Sequence, residues 1–305
     1  MTPTVRNEEA GIVLVNVLVI LAIASSVVFL MLSSRDAALD RVALQTDAAR
    51  AEWLALGAEA SVVDALRRDL DTGPDADHFN EPWASVIQEE AVLPTGRFSV
   101  AVRDAQARFD INLLAAGTLS PAIFLERLLA EVGQPPDAAR DISRVLSVTG
   151  PVARLEDLEA YGIPPQVLGA LEPYADALPV PGTINLNTAD PLLLRAMFNN
   201  RAAAARVQRL RDSRGEVTRD GLAEADVLRP ENSGFTSGIF DVEVLAESGA
   251  ARVALRSRIL RTDDLSGKGV VLIRRSLVPP DSPPPTADAA NESGPRIAPG
   301  AAVTR

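Results

Sequence analysis

Residues 12–32 form the stretch IVLVNVLVILAIASSVVFLML, which decides the architecture of the whole chain. It contains no charged residue and no proline, and its only polar side chains are Asn16, Ser25 and Ser26. A helix of this length spans about 30 Å, the hydrocarbon thickness of a bilayer. A cleaved secretory signal usually has a shorter apolar core followed by small residues, and residues 29–34 offer a poor cleavage site of that kind. The stretch therefore predicts a transmembrane helix that remains attached to the protein.

The helical pattern continues beyond the apolar stretch. Residues 35–71 contain no proline and a single glycine, Gly57. Small or apolar residues recur there at spacings of three or four, which predicts one stripe on a helix. The members of this stripe are Leu39, Val42, Thr46, Ala49, Trp53, Leu56, Ala60, Val63, Leu66 and Leu70. Both parts together predict one helix over residues 12–70, about 90 Å long at 1.5 Å per residue. A short polar leader ending in Gly11 precedes it.

Composition excludes several classes of function. The 305 residues include no cysteine, so disulfides and thiolate metal sites are impossible. His78 is the only histidine, which leaves histidine-based metal or triad chemistry without a second residue. The net charge of −11 repels phosphate backbones and argues against nucleic acid as the main partner. No nucleophile motif or phosphate-binding loop is present, so we predict a protein that is not an enzyme.

Residues 71–82 predict a polar linker after the long helix, because they combine acids with turn residues. The acids in and beside this segment are Asp69, Asp71, Asp75, Asp77 and Glu81. A calcium loop of the EF-hand type needs oxygen ligands that alternate up to a glycine and a distant glutamate, and this run fails after two positions. We therefore predict that these acids are solvated.

The rest of the chain alternates between strand and helix patterns. Residues 97–103 alternate in polarity, which predicts a half-buried strand. The tripeptide Ile-Asn-Leu occurs at 111–113 and again at 184–186, each time followed by helical segments, so we predict two small related helical units within 115–230. Strand patterns return within 231–277, where acids on one strand should face arginines on the next. Residues 278–305 hold seven prolines and few apolar residues, which predicts a disordered tail.

These features together resemble one family. A polar leader, a glycine and a helix half apolar and half amphipathic are the layout of type IV pilin-like subunits. The sequences DAQARFDIN (104–112) and INLNTA (184–189), with the strand block 240–275, are more specific. The chain resembles the K minor pseudopilins of the type II secretion system over most of residues 11–276. The resemblance implies an α+β fold, with a long N-terminal transmembrane and amphipathic helix packed on a small antiparallel pilin-like sheet. An all-helical domain of two small related units is inserted between the strands.

The predicted segments follow from this layout. They are a prepilin-type leader (1–11), a transmembrane helix (12–32), a pilin-like helix with the first strands (33–114), an inserted helical domain (115–230), pilin-like C-terminal strands (231–277) and a disordered tail (278–305).

The resemblance also implies a function and partners. It implies a non-enzymatic subunit of the periplasmic pseudopilus, anchored in the inner membrane by one span with its folded domain in the periplasm. Prepilin peptidase is expected to cut between Gly11 and Ile12 and to methylate the new amine of Ile12. Expected partners are the I and J minor pseudopilins, the major pseudopilin and the inner-membrane assembly platform. Calcium is allowed by the resemblance. Its ligands cannot be placed on named residues, because the segment around 141–155 is shorter here than in the family.

Two sets of residues carry the expected assembly function. Pilin-like proteins usually have glutamate as the fifth residue after the cut, and this chain has Asn16 there. A subunit with no neighbour ahead of it does not need that carboxylate, so Asn16 favours a position at the tip of the pseudopilus. One small sheet cannot cover the whole predicted stripe, so its N-terminal part should contact other subunits. The expected contact residues are Leu39, Val42, Thr46, Ala49 and Trp53.

An alternative hypothesis is a membrane-anchored nucleic-acid-binding protein with helix-hairpin-helix modules. The paired helical units, with Gly162, Ile163 and Pro164 in a turn, resemble such modules. Those modules bind phosphates through backbone amides and nearby lysines. Here Pro164 and Pro165 remove amides, and residues 155–190 contain no basic residue. These features disfavour the alternative.

Overall fold

The computed structural model describes residues 8–72, 76–84, 88–264 and 267–280. The helices are α1 (Glu8–Thr72), α2 (Leu119–Glu131), α3 (Ala138–Thr149), α4 (Pro165–Leu171), α5 (Pro191–Phe198), α6 (Arg201–Arg214) and α7 (Arg219–Glu224). The strands are β1 (Gln88–Leu93), β2 (Gly96–Asp104), β3 (Phe109–Asp110), β4 (Ala175–Asp176), β5 (Ile184–Asn185), β6 (Ser233–Gly234), β7 (Ile239–Ser248), β8 (Ala251–Asp264) and β9 (Gly267–Val278). Short 3-10 helices cover Ala105–Ala107, Ile111–Ala116 and Leu155–Tyr161. The predicted α+β fold class is confirmed.

The main sheet has five antiparallel strands in the order β1-β2-β7-β8-β9. Its cross-strand charge pairs follow the predicted pattern. Asp241 lies opposite Arg258, Glu243 opposite Arg256, and Glu247 opposite Arg252. Facing opposite charges favour this register over one shifted by a residue. Such a shift would also turn the apolar face of β7 away from the core. The predicted pairing of acids with arginines is confirmed.

Helix α1 packs on this sheet through a face made mainly of alanine. The buried residues of that face are Ala51, Ala55, Ala58, Val62 and Leu66. They meet the apolar side of the sheet, and the fully buried Trp83 packs edge-on against Phe240 with ring centroids 5.1 Å apart. Small side chains let the helix axis approach the strands closely. The predicted stripe therefore does not coincide with the sheet-facing side, since Trp53 and Ala60 are exposed.

The remaining helices lie between β2 and β7 in the chain and share their own apolar core. Two short parallel strand pairs hold this region, β3 with β4 and β5 with β6. Each pair closes one unit, because the residues between its two strands contain that unit's helices. Val278, which the sequence placed in the disordered tail, is the last residue of β9. Residues 281–305 of the predicted tail lie outside the described residues.

Two asparagines reveal the internal repeat, in a different register from the predicted one. Asn112 accepts a hydrogen bond from the Val152 amide (2.9 Å) and donates to the carbonyls of Val152 and Leu178 (both 3.0 Å). Asn187 accepts from the Val217 amide (2.5 Å) and donates to the carbonyls of Val217 (3.1 Å) and Phe235 (3.2 Å).

The equivalent residues are therefore Asn112 and Asn187. Asp110 and Asn185 are equivalent as well, since each accepts a hydrogen bond from the backbone amide two residues ahead. The predicted alignment of Ile111-Asn-Leu113 on Ile184-Asn-Leu186 was shifted by two residues. The prediction relied on three identical residues. The hydrogen-bond pattern that the two units share instead aligns Asp110-Ile-Asn112 with Asn185-Leu-Asn187.

Candidate assembly interface

The first half of α1 is apolar and uncovered within the described chain. Residues 14–46 are all exposed, and the helix is long and apolar enough to cross a membrane, with a mean hydropathy of 2.7 in its most apolar window. Gly11 and Ile12 lie near the start of α1, and Asn16 is exposed within the apolar stretch. These features are compatible with a single-pass membrane anchor.

The sheet first reaches α1 one turn before the buried alanines. The amide of Ala250, in the turn between β7 and β8, donates to the Asp47 carboxylate at 3.3 Å. Gly249 in the same turn has a φ of +53° and lies so close to Asp47 that a Cβ there would meet its carboxylate oxygen at 2.0 Å. The left-handed backbone conformation therefore favours glycine at 249, and a larger side chain there would displace the carboxylate of Asp47.

All five residues predicted to contact partner subunits are exposed. Leu39 is 62% exposed, Val42 59% and Trp53 71%, and Thr46 and Ala49 are exposed as well. At 100° per residue, the centre of this set lies about 180° around the helix from the centre of the sheet-facing alanines. The sheet thus leaves free the side of α1 that carries the predicted contact residues. Large apolar side chains on an uncovered face are typical of a surface that packs against another protein.

A buried polar cluster joins the sheet to the helical region. Asp104, at the end of β2, accepts hydrogen bonds from the Gln106 amide (2.7 Å), Asn185 Nδ2 (3.0 Å), Thr188 Oγ1 (2.5 Å) and Ser237 Oγ (2.6 Å). Burial raises the pKa of Asp104, and the four hydrogen bonds oppose that rise. Asn185 and Thr188 belong to the INLNTA motif, so this motif serves to fasten the two parts of the molecule together.

A second junction is ionic. Arg258 on β8 pairs through its Nη2 with Asp176 (2.6 Å) and through its Nε with Asp241 (2.7 Å), and its Nη1 donates to the Ala177 carbonyl (3.2 Å). Arg108 adds bonds to the same two carboxylates at 2.7 and 3.2 Å. Burial raises the pKa of Asp241, but the hydrogen bond and charge of Arg258 outweigh it and hold that pKa below its ordinary value. The arrangement binds β4 of the helical region to the sheet.

The segment after α1 contains a third cluster, which corrects the prediction of a solvated linker. Asp69, Asp77 and Glu81 are buried, and carboxylate oxygens of the three lie within 4.8 Å of one another. Arg261 of β8 pairs with Asp69 and, at 2.5 Å, with both oxygens of Asp77. The Ser237 amide also donates to Asp77 at 2.6 Å. Burial raises the pKa of Glu81 to about 7, against hydrogen bonds from Trp83 and His78 that lower it.

This acidic cluster has no local sequence signal, because its cation lies far away in the chain. Arg261 is 184 residues from Asp77, and nothing local distinguishes it from the other arginines of β8. Asp71, which belongs to the same run of acids, is exposed as predicted, and Asp75 lies outside the described residues. The run therefore contains both solvated and buried acids, which composition alone cannot separate.

Comparison with known proteins supports one relationship. No protein-family model matches the chain. It is 29% identical over 148 residues to the type II secretion system protein K of Klebsiella pneumoniae, covering 46% of this chain and 45% of that protein, so the match spans about half of that relative. It is 27% identical over 281 residues to the protein of the same name from Pectobacterium carotovorum subsp. carotovorum, covering 76% of this chain and 84% of that protein.

The fold matches as well. A chain of the crystal structure of the GspK-GspI-GspJ complex from the enterotoxigenic Escherichia coli type 2 secretion system aligns with a TM-score of 0.58 and 20% identity. The alignment covers 78% of this chain and 99% of that chain. The resemblance predicted from the motifs is thus confirmed, and the chain is a relative of type II secretion system protein K that shares the fold of a chain in the K–I–J complex.

Proposed function

We propose that this protein is a minor pseudopilin of the type II secretion system, anchored in the inner membrane with its folded part in the periplasm. One observation carries the proposal. A helix with an uncovered apolar half continues into a sheet and a helical region whose fold matches almost all of a chain from the K–I–J complex. The proposed role is structural rather than enzymatic, and the other proposed partners are the major pseudopilin and the inner-membrane assembly platform.

We propose that prepilin peptidase cleaves between Gly11 and Ile12 and methylates the Ile12 amine. A small residue before the cut allows close approach of the peptidase to the backbone. The mature protein would then begin at Ile12, immediately ahead of the apolar stretch that anchors it.

The I and J minor pseudopilins are proposed to pack on the side of α1 opposite the sheet. Val42→Asp and Ala49→Asp should each reduce co-purification with the I and J subunits at least tenfold, because a charge on this face would be desolvated at the contact. Leu44→Asp is the matched control, since Leu44 is 52% exposed at the same depth but lies on the opposite side of the helix. The subunit recovered from wild type should begin at Ile12 by N-terminal sequencing.

Two results would contradict this scheme. Unchanged recovery of the I and J subunits with both substituted proteins would show that they do not contact this face of α1. An N-terminus other than Ile12 would show that the protein is not cleaved between Gly11 and Ile12.

A position at the tip of the pseudopilus is proposed on two grounds. Asn16 lacks the carboxylate with which a shaft subunit would neutralise the amine of its neighbour, and an unpaired carboxylate inside a bilayer costs a few kcal/mol. The helical region between β2 and β7 is also bulky, and repeating it at every step of a fibre would bring it against the subunits above.

Imaging of labelled protein on isolated pseudopili tests the tip position. Signal at one end of each fibre is the expected result. Labels spaced along the shaft would exclude a cap, whatever the outcome for the I and J contacts.

A further inference from the structure

Strand β9 forms one edge of the main sheet, and β8 is its partner among the described strands. The other edge strand, β1, has 6 residues and an irregular register with β2, and short or irregular strands are typical of protected edges. β9 has 12 residues. Ile273 is an extra residue in its pairing with β8, and residues 274–278 pair continuously after it. The outer side of β9 therefore presents backbone amides and carbonyls to which another strand can bond.

The second half of β9 is uncovered on both faces. A strand in a covered sheet alternates between buried and more exposed residues, as β7 does. In β9, by contrast, residues 273–277 are all exposed, and they include Ile273 (41% exposed) and Leu277 (58%). Val271, just before them, is 55% exposed. A long edge strand with exposed apolar side chains is a site for pairing with another chain.

A row of charged residues across the sheet ends at Arg274 on β9. The facing residues of this row, from β2 to β9, are Arg103, Asp241, Arg258 and Arg274. Asp241 separates the first two arginines, whereas Arg258 and Arg274 face each other directly, and like charges at facing positions are unfavourable. Arg274 is exposed and forms no ion pair with any residue that the structure describes. An acidic residue on a further strand beside β9 would continue the row with the opposite charge.

Strand β9 also lies beside the proposed contact face of α1. Arg275 on β9 pairs with Glu59 of α1. At 100° per residue, Glu59 lies about 60° around the helix from the centre of the sheet-facing alanines, and Ala49 lies about 80° further in the same direction. A subunit that packs on the far side of α1 can therefore reach the outer edge of β9 without crossing the sheet.

We propose that a neighbouring minor pseudopilin adds an extended strand to the outer edge of β9 and places an acidic residue opposite Arg274. Strand addition is a common mode of recognition, in which backbone hydrogen bonds give affinity and side chains give specificity. The inference rests on the proposed function and adds to it a second contact, separate from the face of α1.

Two other occupants of this edge are disfavoured. A second copy of this chain would bring β9 against β9, and all charged residues of that strand are basic, namely Lys268, Arg274 and Arg275. The residues that follow β9 in the chain include five prolines within 279–285. Proline has no amide to donate to a neighbouring strand, so this stretch is a poor source of the added strand.

Hydrogen–deuterium exchange followed by mass spectrometry tests the strand addition directly. The full-length protein in detergent is measured alone and in complex with the I and J subunits. Peptides from β9 should exchange at least tenfold more slowly in the complex, because amides on its outer side become hydrogen-bonded. Peptides from β1, the opposite edge, are the internal control and should exchange at an unchanged rate.

Charge reversal then tests the acidic residue opposite Arg274. Arg274→Glu should weaken binding of the I and J subunits at least tenfold. The substitution places an acid opposite Arg258, so the Tm of the protein alone should not fall. Arg209→Glu is the matched control, because Arg209 is an exposed arginine on α6 that forms no ion pair with a described residue, and it should leave binding unchanged.

The outcomes separate this inference from the proposed function. A complex in which α1 is protected while β9 exchanges as fast as in the free protein would overturn the strand addition alone. Equal binding by Arg274→Glu and wild type would also overturn it, as would protection of β9 in the protein alone that grows with concentration, which would identify a second copy as the occupant. Failure of the wild-type protein to bind the I and J subunits would overturn the proposed function and this inference together.

Discussion

Replacing Asn187 by leucine is expected to lower the free energy of unfolding by about 3 kcal/mol. The Asn187 side chain is fully buried and forms hydrogen bonds with both backbone groups of Val217 and with the Phe235 carbonyl. Leucine has a similar size but neither donates nor accepts, so these backbone groups would lose their partner while staying buried. An unsatisfied buried polar group costs about 1–3 kcal/mol, and this substitution leaves several.

Thermal unfolding of the full-length protein, followed by circular dichroism, measures this effect. A loss of 3 kcal/mol corresponds to a decrease in Tm of about 6–12 °C for a folded region of this size. Asn112→Leu provides a graded comparison, because Asn112 makes the same three bonds in the first unit but is only partly buried. Water can replace some of its lost bonds, so a smaller decrease is expected. A Tm for Asn187→Leu within 2 °C of wild type would show that this amide does not hold its unit together.

The features that sequence analysis predicted well are those that depend on neighbours in the chain. The long helix follows from the absence of proline and from residue spacing, and its bounds differ from the prediction by a few residues only. The pairing of β7 with β8 follows from alternating acids and arginines on strands joined by a tight turn at Gly249. In both cases the information lies within one or two consecutive elements.

The side of α1 that packs on the sheet was harder to predict, for a physical reason. Large apolar residues such as Leu39, Val42 and Trp53 dominate any search for a hydrophobic face. The sheet instead contacts the alanines, because close packing of a helix on strands favours small side chains at the contact. The large residues are left exposed, and the proposed subunit contacts account for them.

The buried polar clusters could not be derived from spacing at all. Asp104 meets Asn185 and Ser237, and Arg261 meets Asp69 and Asp77, across 81 to 192 residues of chain. Until the topology brings these residues together, each is an ordinary polar residue in a polar segment. The INLNTA motif gave a partial signal, since it marked the position of Asn185 without revealing what that side chain binds.

Arg258→Ala is expected to destabilise the junction between the sheet and the helical region by about 3 kcal/mol. Removing this buried guanidinium leaves the carboxylates of Asp176 and Asp241 with Arg108 as their remaining salt-bridge partner among the described residues. The Ala177 carbonyl also loses its donor. Breaking a buried pair by removing one partner is costly because the other charge stays buried, and Arg108 reduces that cost without abolishing it.

Arg256→Ala is the matched control for this substitution. Arg256 lies two residues earlier on β8 and on the same face of the strand, and it pairs with Glu243 at 2.9 Å. Both side chains of that pair keep about a quarter of their exposure, so water can solvate Glu243 after the change and a loss of at most about 1 kcal/mol is expected. Equal Tm values for Arg258→Ala and Arg256→Ala would contradict a special role for the buried pair.

The pH dependence separates the loss of this ion pair from a simple loss of packing. Because the pKa of Asp241 is depressed in the folded state, its ion pair stabilises the protein above the ordinary value of 3.8, and that stabilisation is lost as pH falls through the lower, folded pKa. The Tm difference between wild type and Arg258→Ala should therefore be largest near neutral pH and shrink below pH 3.8. A difference that stays constant through this range would mean that Arg258 stabilises the junction through its packed side chain rather than through its charge.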